Sequence, residues 1–163
     1  MARHIHLGIS FYDRSKNQTH LLGQTKGSIM TNDAGKMIGE IIKGWNQKDW
    51  RILEAVHSED WIDQTAPDGM NDLAAMKRFF ELFTTSFPDM EMEVLRTIEK
   101  DGEVAYFYKI SGTHEHNFLG FTANGQRVSF LGMMMLTIRD EKCAEAWGVT
   151  DKMTLFDQLR SST

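Results

Sequence analysis

The sequence predicts an α+β domain, with helices gathered in the first half and a curved sheet built from the second. Three observations carry this. Apolar residues recur at three- and four-residue spacing early in the chain, they alternate with polar ones later, and turn residues separate the segments. Thr31-Asn32-Asp33 supplies N-caps for a first helix, on which Met37, Ile38, Ile41, Ile42 and Trp45 form one stripe. Asn46 to Asp49 breaks that pattern, and Trp50, Leu53 and Val56 continue it on a short second helix. Asp60 to Thr65 reads as a strand, with Trp61, Asp63 and Thr65 on one face. After the turn Pro67-Asp68-Gly69, a third helix from about Asp72 to Ser86 places Leu73, Met76, Phe79, Phe80 and Phe83 toward a core. Phe87-Pro88-Asp89 ends it. Met90 to Glu99, Val104 to Gly112, Gln126 to Arg139 and Cys143 to Thr150 then read as an antiparallel meander. Its turns are Lys100-Asp101-Gly102, a loop ending in Asn124-Gly125, and Asp140-Glu141-Lys142. Gly132 predicts a bulge or bend in the third of these strands. A short last helix carries Met153, Leu155, Phe156 and Leu159.

Composition narrows the function classes. A length of 163 residues suits one domain with one core. No apolar run reaches the roughly 18 residues of a membrane span, and the N-terminus has no hydrophobic leader, so a cytoplasmic protein is expected. The single Cys143 excludes an internal disulfide and is expected to be inert. A formal charge of -5 without a basic block argues against nucleic acid and anionic membranes as partners. Eleven Met beside ten Phe and four Trp point to a soft interior of the kind that lines a cavity. Residues 1–32 form an extension to the domain at 33–163. Within it Ile5, Leu7, Ile9 and Phe11 alternate with polar residues, as in an added strand pair or in an arm packing on a partner subunit.

Several segments then follow a familiar order. They are His57-Ser58-Glu59-Asp60-Trp61-Ile62-Asp63, Phe87-Pro88-Asp89, Gly112-Thr113-His114, Phe118-Leu119-Gly120-Phe121, Asn124-Gly125-Gln126-Arg127-Val128, Glu145-Ala146-Trp147 and Leu155-Phe156-Asp157-Gln158-Leu159. Together, over about residues 34 to 160, the chain resembles the SnoaL-like polyketide cyclases, or ester cyclases. The resemblance implies the cone-shaped fold of nuclear transport factor 2, with a deep apolar pocket between helices and concave sheet. It also implies a cofactor-free intramolecular aldol closure, so no cofactor is expected. A pocket carboxylate takes a proton beside a carbonyl while polar neighbours hold the enolate, and burial tunes such a base. Carried over by position, the family's acid/base residue falls on Gly148, its histidine on the same strand on Ala146, and the pocket His and Gln of the preceding strand on Met134 and Gly132. The polar residue of the first strand is retained as Asp63.

Period-two spacing independently turns Met134 and Leu136 to the interior, opposite the small residues Ala146 and Gly148, which should leave a carbon-lined pocket. Trp61, Thr65 and Gly132 border it, and the helix residues Trp45 and Phe83 would floor it. Asp63 is the candidate base. His114 and His116, in the loop after Gly112 at the cavity mouth, are candidates of which one would polarise the carbonyl or pair with Asp63 as a dyad; for His114 a structural role in the Gly-Thr-His turn is the alternative. No metal is expected, since histidines two apart lack further ligands nearby. Asp151 should cap the last helix, and Trp147 should face away from the small residues, under that helix or in an interface. Two readings follow. One is a cyclase, isomerase or dehydratase acting on a small hydrophobic carbonyl compound; the other is a non-catalytic binder of such a metabolite. A mono-oxygenation role is a third. A homodimer through the convex sheet face is expected in each.

Overall fold

The structure, a computed structural model, describes residues 32–160, so the strand pair or arm expected over residues 1–30 lies outside the described residues. Helix α1 (Asn32–Gln47) buries Ala34, Met37, Ile38 and Ile41. Covering each of the three large side chains contributes about 1.5–3 kcal/mol. Lys48 ends the helix with φ of 53°, and its ammonium donates to the Asn46 and Met90 carbonyls, which offsets part of the backbone cost. Asp49 then caps α2 (Trp50–Val56) by accepting from the Arg51 N–H. The two helices cross closely because Gly44 has no side chain. A Cβ there would lie 2.8 Å from the buried Leu53 side chain.

Strand β1 (His57–Asp63) follows, then α3 (Leu73–Ser86), capped by Asp72 through the Ala75 N–H at 2.6 Å. The meander is β2 (Glu91–Lys100), β3 (Glu103–Thr113), β4 (Arg127–Arg139) and β5 (Lys142–Thr150), closed by α4 (Lys152–Arg160). The sheet order is β1-β5-β4-β3-β2. The last four strands pair antiparallel as expected, whereas β1 joins β5 in parallel. The turn at Asp140-Glu141 holds two non-glycine residues at positive φ, the backbone a two-residue hairpin needs. Asp151 does cap α4, accepting from the Thr154 N–H and hydroxyl, bonds that hold its carboxyl below the usual range.

Gly132 corrects the expectation of a bulge. It sits in an unbroken ladder, opposite Tyr108 on one side and Thr150 on the other. Glycine is required because the Tyr108 ring lies across it; a Cβ would meet that ring's Cζ and hydroxyl at 2.3 Å.

The core lies between the helices and the concave face and is aromatic at one end. The buried Phe83 ring meets those of Trp45, Phe79, Phe87, Phe118 and Phe130 at centroid separations of 4.8 to 6.3 Å. At the other end His57, buried, bonds the Leu53 carbonyl through Nδ1 at 2.6 Å and meets Trp61 edge-on. Burial lowers the His57 pKa below 6.5, with the Leu53 bond opposing. The folded chain thus takes up this proton less readily than the unfolded one. The resulting stability is present above about pH 6.5 and falls away as pH drops below it. Urea midpoints measured from pH 8 to 5.5 should therefore decline for the wild-type protein and decline less steeply for His57→Leu. Equal slopes would show that His57 carries none of the pH dependence.

The convex face is apolar across three strands and part of a fourth. Phe107, Met133 and Val149 form one cross-strand row, and Ala105, Met135 and Trp147 the next, with Ile98 at its end. Trp147 is 46% exposed and Val149 62%. No helix among the described residues is long and apolar enough to cross a membrane.

Candidate active site

Asp63 ends β1 beside Ala146 of β5. Its backbone is pinned on both sides: its N–H donates to the Asn71 carbonyl, and the next N–H, from Gln64, donates to Ala146. One carboxylate oxygen, Oδ1, accepts from the Thr65 amide at 2.8 Å and the Thr65 hydroxyl at 2.6 Å. That hydroxyl in turn accepts from the Gly148 N–H at 3.2 Å. The second oxygen, Oδ2, has no hydrogen-bond partner among the described residues. The arrangement is a fixed carboxylate with one open lone-pair face, half-buried at the rim of the concave surface.

The next polar group is Tyr108. It lies on the inward face of β3 with Val104, Tyr106 and Ile110, and its ring crosses Gly132 so that its hydroxyl reaches the Thr150 hydroxyl at 3.2 Å. Burial raises the phenol above its ordinary value of 10; the Thr150 bond opposes this and the nearby Asp63 charge adds to it. Tyr108 is therefore a neutral hydrogen-bond donor at ordinary pH. Asp63 is close enough to influence it, yet no hydrogen bond joins the two.

Between these groups the surface is apolar. Leu136 and Ala146 form a closed floor in one row. In the adjacent row Met134 stands opposite Gly148, and a Cβ on that glycine would meet the Met134 sulfur at 2.2 Å. The volume expected over the two glycines is accordingly occupied, by Tyr108 above Gly132 and by Met134 above Gly148. Trp61 is buried behind Asp63, facing His57. Burial pushes the neighbouring Cys143 thiol up to about 12, which keeps it neutral and unreactive.

The remaining sequence candidates lie elsewhere. Trp45 and Phe83 belong to the aromatic end of the core. His114 follows Thr113, whose partner on β4 is Arg127, whereas Asp63 lies in the row of Leu136. Nine residues of β4 separate those rows, a contour of about 30 Å, so Asp63 and His114 form no dyad. His114 is fully buried, stacked on Phe87 at 5.4 Å and bonded through Nδ1 to Asn124 Oδ1 at 3.3 Å. Because Asn124 Oδ1 also accepts from the Gln126 N–H, the pattern assigns the His114 proton to Nδ1 and leaves Nε2 buried without a partner. This is the geometry of a loop lock. His116 is exposed on the same loop, its amide donating to the Ser86 carbonyl at 3.3 Å. Among the described residues no three His, Cys, Asp or Glu side chains gather to hold a metal ion.

Tyr108 and Thr150 are the site residues that sequence reasoning missed. The signal was present in the alternation of Val104, Tyr106, Tyr108 and Ile110, which turns both tyrosines inward. Only the register across Gly132 shows that Tyr108 reaches past its neighbour strand to β5. A separate surface cleft of about 610 Å³, between the turn after α1 and the start of β2, is lined by Asn46, Lys48, Asp89, Glu91 and Glu93 with Met90 and Met92. Several of its polar groups are already paired: Asn46 bonds both backbone groups of Met92, and Asp89 bonds Thr113 and Arg127.

A sequence model of the SnoaL-like polyketide cyclases matches residues 36–159. Among solved structures, AclR of Streptomyces galilaeus, provisionally assigned as a hydroxylase, superposes with a TM-score of 0.70 at 26% identity, covering 77% of this chain and 93% of its own. IdmH of Streptomyces antibioticus, provisionally assigned as a polyketide cyclase, gives 0.70 at 22% identity over 80% of this chain and 100% of its own. TsrD of Streptomyces laurentii gives 0.73 at 18% identity over 78% and 95%. No curated protein matches the chain.

Proposed function

Because the chain belongs to the SnoaL-like polyketide cyclase family, we propose that it acts without a cofactor on a small, largely apolar carbonyl compound held against the concave face. Asp63 is the base in this reading and Tyr108 the electrophilic partner. One observation carries it: a fixed carboxylate with a free oxygen and a neutral buried phenol share one apolar surface without bonding each other. The acidic carbon and the oxygen of an enolisable carbonyl are two bonds apart. With contacts of about 3 Å at each end, such a ligand bridges groups too distant to bond directly. Asp63 Oδ2 takes the proton from the carbon beside the carbonyl. The electron pair moves onto the carbonyl oxygen, and the Tyr108 O–H donates to the enolate so formed. In a ring closure the enolate carbon then attacks an internal carbonyl, and the new alkoxide recovers the proton from Asp63. Cyclisation, isomerisation and dehydration share that first step.

Non-catalytic binding is the second reading, favoured by Gly148, where the family resemblance puts an acid/base residue and where Met134 lies instead. Exchange of the methyl protons of 2-acetonaphthone in D2O, followed by NMR, separates the two. Catalysis predicts that wild-type protein accelerates exchange and that Asp63→Asn lowers the rate about 10²–10⁴-fold while affinity is retained. No acceleration by wild type, or an equal rate in the variant, removes Asp63 as base and leaves binding. The exposed rows on the convex face support a homodimer through that face. A cytoplasmic location completes the reading, consistent with a free buried thiol.

A further inference from the structure

The concave face carries an unusual juxtaposition. Ala146, Gly148 and Thr150 alternate on the inward side of β5. Ala146 is paired with Asp63, and Thr150 is bonded to Tyr108. Gly148 is thus the position between the two polar groups, and it offers no side chain. What covers it is the thioether of Met134, the residue directly opposite on β4, whose Sδ and Cε lie 2.2 and 3.3 Å from where a Cβ would stand.

From this placement we infer that the Met134 side chain is a displaceable occupant of the ligand's place, swinging off Gly148 when a ligand enters, so that bulk at position 134 sets the size of ligand accepted. The inference rests on the concave face being the binding surface; it does not require that Asp63 be catalytic. Three features support it. Met134 is half-buried, whereas Leu136, its neighbour on the same face, is 2% exposed, so the thioether sits where the floor opens. Its side chain is unbranched, with three rotatable bonds and no hydrogen bond to break, so moving it costs little beyond its own contacts. The glycine beneath presents flat peptide, and its N–H is already held by the Thr65 hydroxyl, so departure of the sulfur leaves no buried polar group without a partner. A branched or aromatic residue at 134 would have to remain in place. The ligand class that fits is a flat, largely carbon molecule lying on Gly148, with its oxygen toward Tyr108 and Thr150.

The test measures dissociation constants of acetophenone, 2-acetonaphthone and 2-acetylanthracene by tryptophan quenching, for the wild-type protein and for Met134→Ala and Met134→Phe. Removing the thioether should improve binding of the three-ring ketone about tenfold relative to the one-ring ketone, and the phenylalanine should shift the order the opposite way. Labelling the methionine methyl groups with carbon-13 gives a second readout on unmodified protein, in which the methyl signal lost in Met134→Ala should be displaced most by 2-acetonaphthone. An unchanged size order across the proteins, including absence of binding by all of them, overturns the inference, as does a Met134 methyl that does not respond to bound ketone. If the size order shifts but Asp63→Asn leaves proton exchange untouched, the gate stands and the catalytic reading falls. If exchange depends on Asp63 and the size order is fixed, the reverse holds.

Discussion

Truncating Phe83 to alanine is expected to destabilise the fold by about 3–5 kcal/mol, the range for a fully buried aromatic whose space cannot collapse. Its ring is 3% exposed and stands at the centre of the aromatic end, meeting Phe87 at 4.8 Å and Phe118 at 5.5 Å, with Trp45 and Phe130 at 6.3 Å. These neighbours come from α1, from the segment after α3, from the loop after β3 and from β4. No single element can therefore shift to fill the void. A domain of this size has about 5–15 kcal/mol in total, so the variant should be close to unfolding at 37 °C. Urea denaturation followed by tryptophan fluorescence reads the change. Phe79→Ala, one helical turn away and 45% exposed, is the comparison. Equal losses for the two would mean that Phe83 is not the keystone of this core.

Replacing Trp147 with glutamate is expected to weaken self-association at least about 30-fold, since a central aromatic at an interface is typically worth about 2 kcal/mol or more. Trp147 lies opposite Met135 on β4, and the next row holds Phe107, Met133 and Val149. A charge placed there would have to be desolvated against carbon. Sedimentation velocity over a concentration series decides the matter. A wild-type protein that sediments as a monomer at about 50 μM would sink the proposed dimer, because a standard-sized apolar interface should be populated at that concentration. Unchanged folding by circular dichroism would locate the effect in the interface, as expected for a side chain outside the core.

Most elements were legible in the sequence because each has its own local cause. The α1 stripe, the start of α3, the break from Asn46 to Asp49 and the Asp101-Gly102 turn lie within one or two residues of where periodicity and turn chemistry put them. The inward faces of β3, β4 and β5 follow from period two, and Met134, Leu136, Ala146 and Gly148 do share one surface with Asp63. The site was legible only in part. The histidines of the loop after β3 appear in sequence as polar residues near a turn, but pattern alone cannot say that this loop lies about 30 Å along the sheet from the carboxylate. The same holds for Gly132, where a glycine demanded by a tyrosine from the next strand looks like one demanded by a bulge.

The sequence by itself determined the class of fold, the order of its elements, the inward-facing residues and the single carboxylate among them. Periodicity, caps and turns act over a few residues, and so a few residues suffice to read them. Tertiary structure alone decided that β1 lies parallel beside β5, which brings Asp63 to Ala146. It also decided that Tyr108 spans two strands to reach Thr150, that His114 is locked far from the carboxylate, and that the space over Gly148 belongs to Met134. Each of these depends on register between segments distant in the chain, and register is set by how whole faces pack against one another.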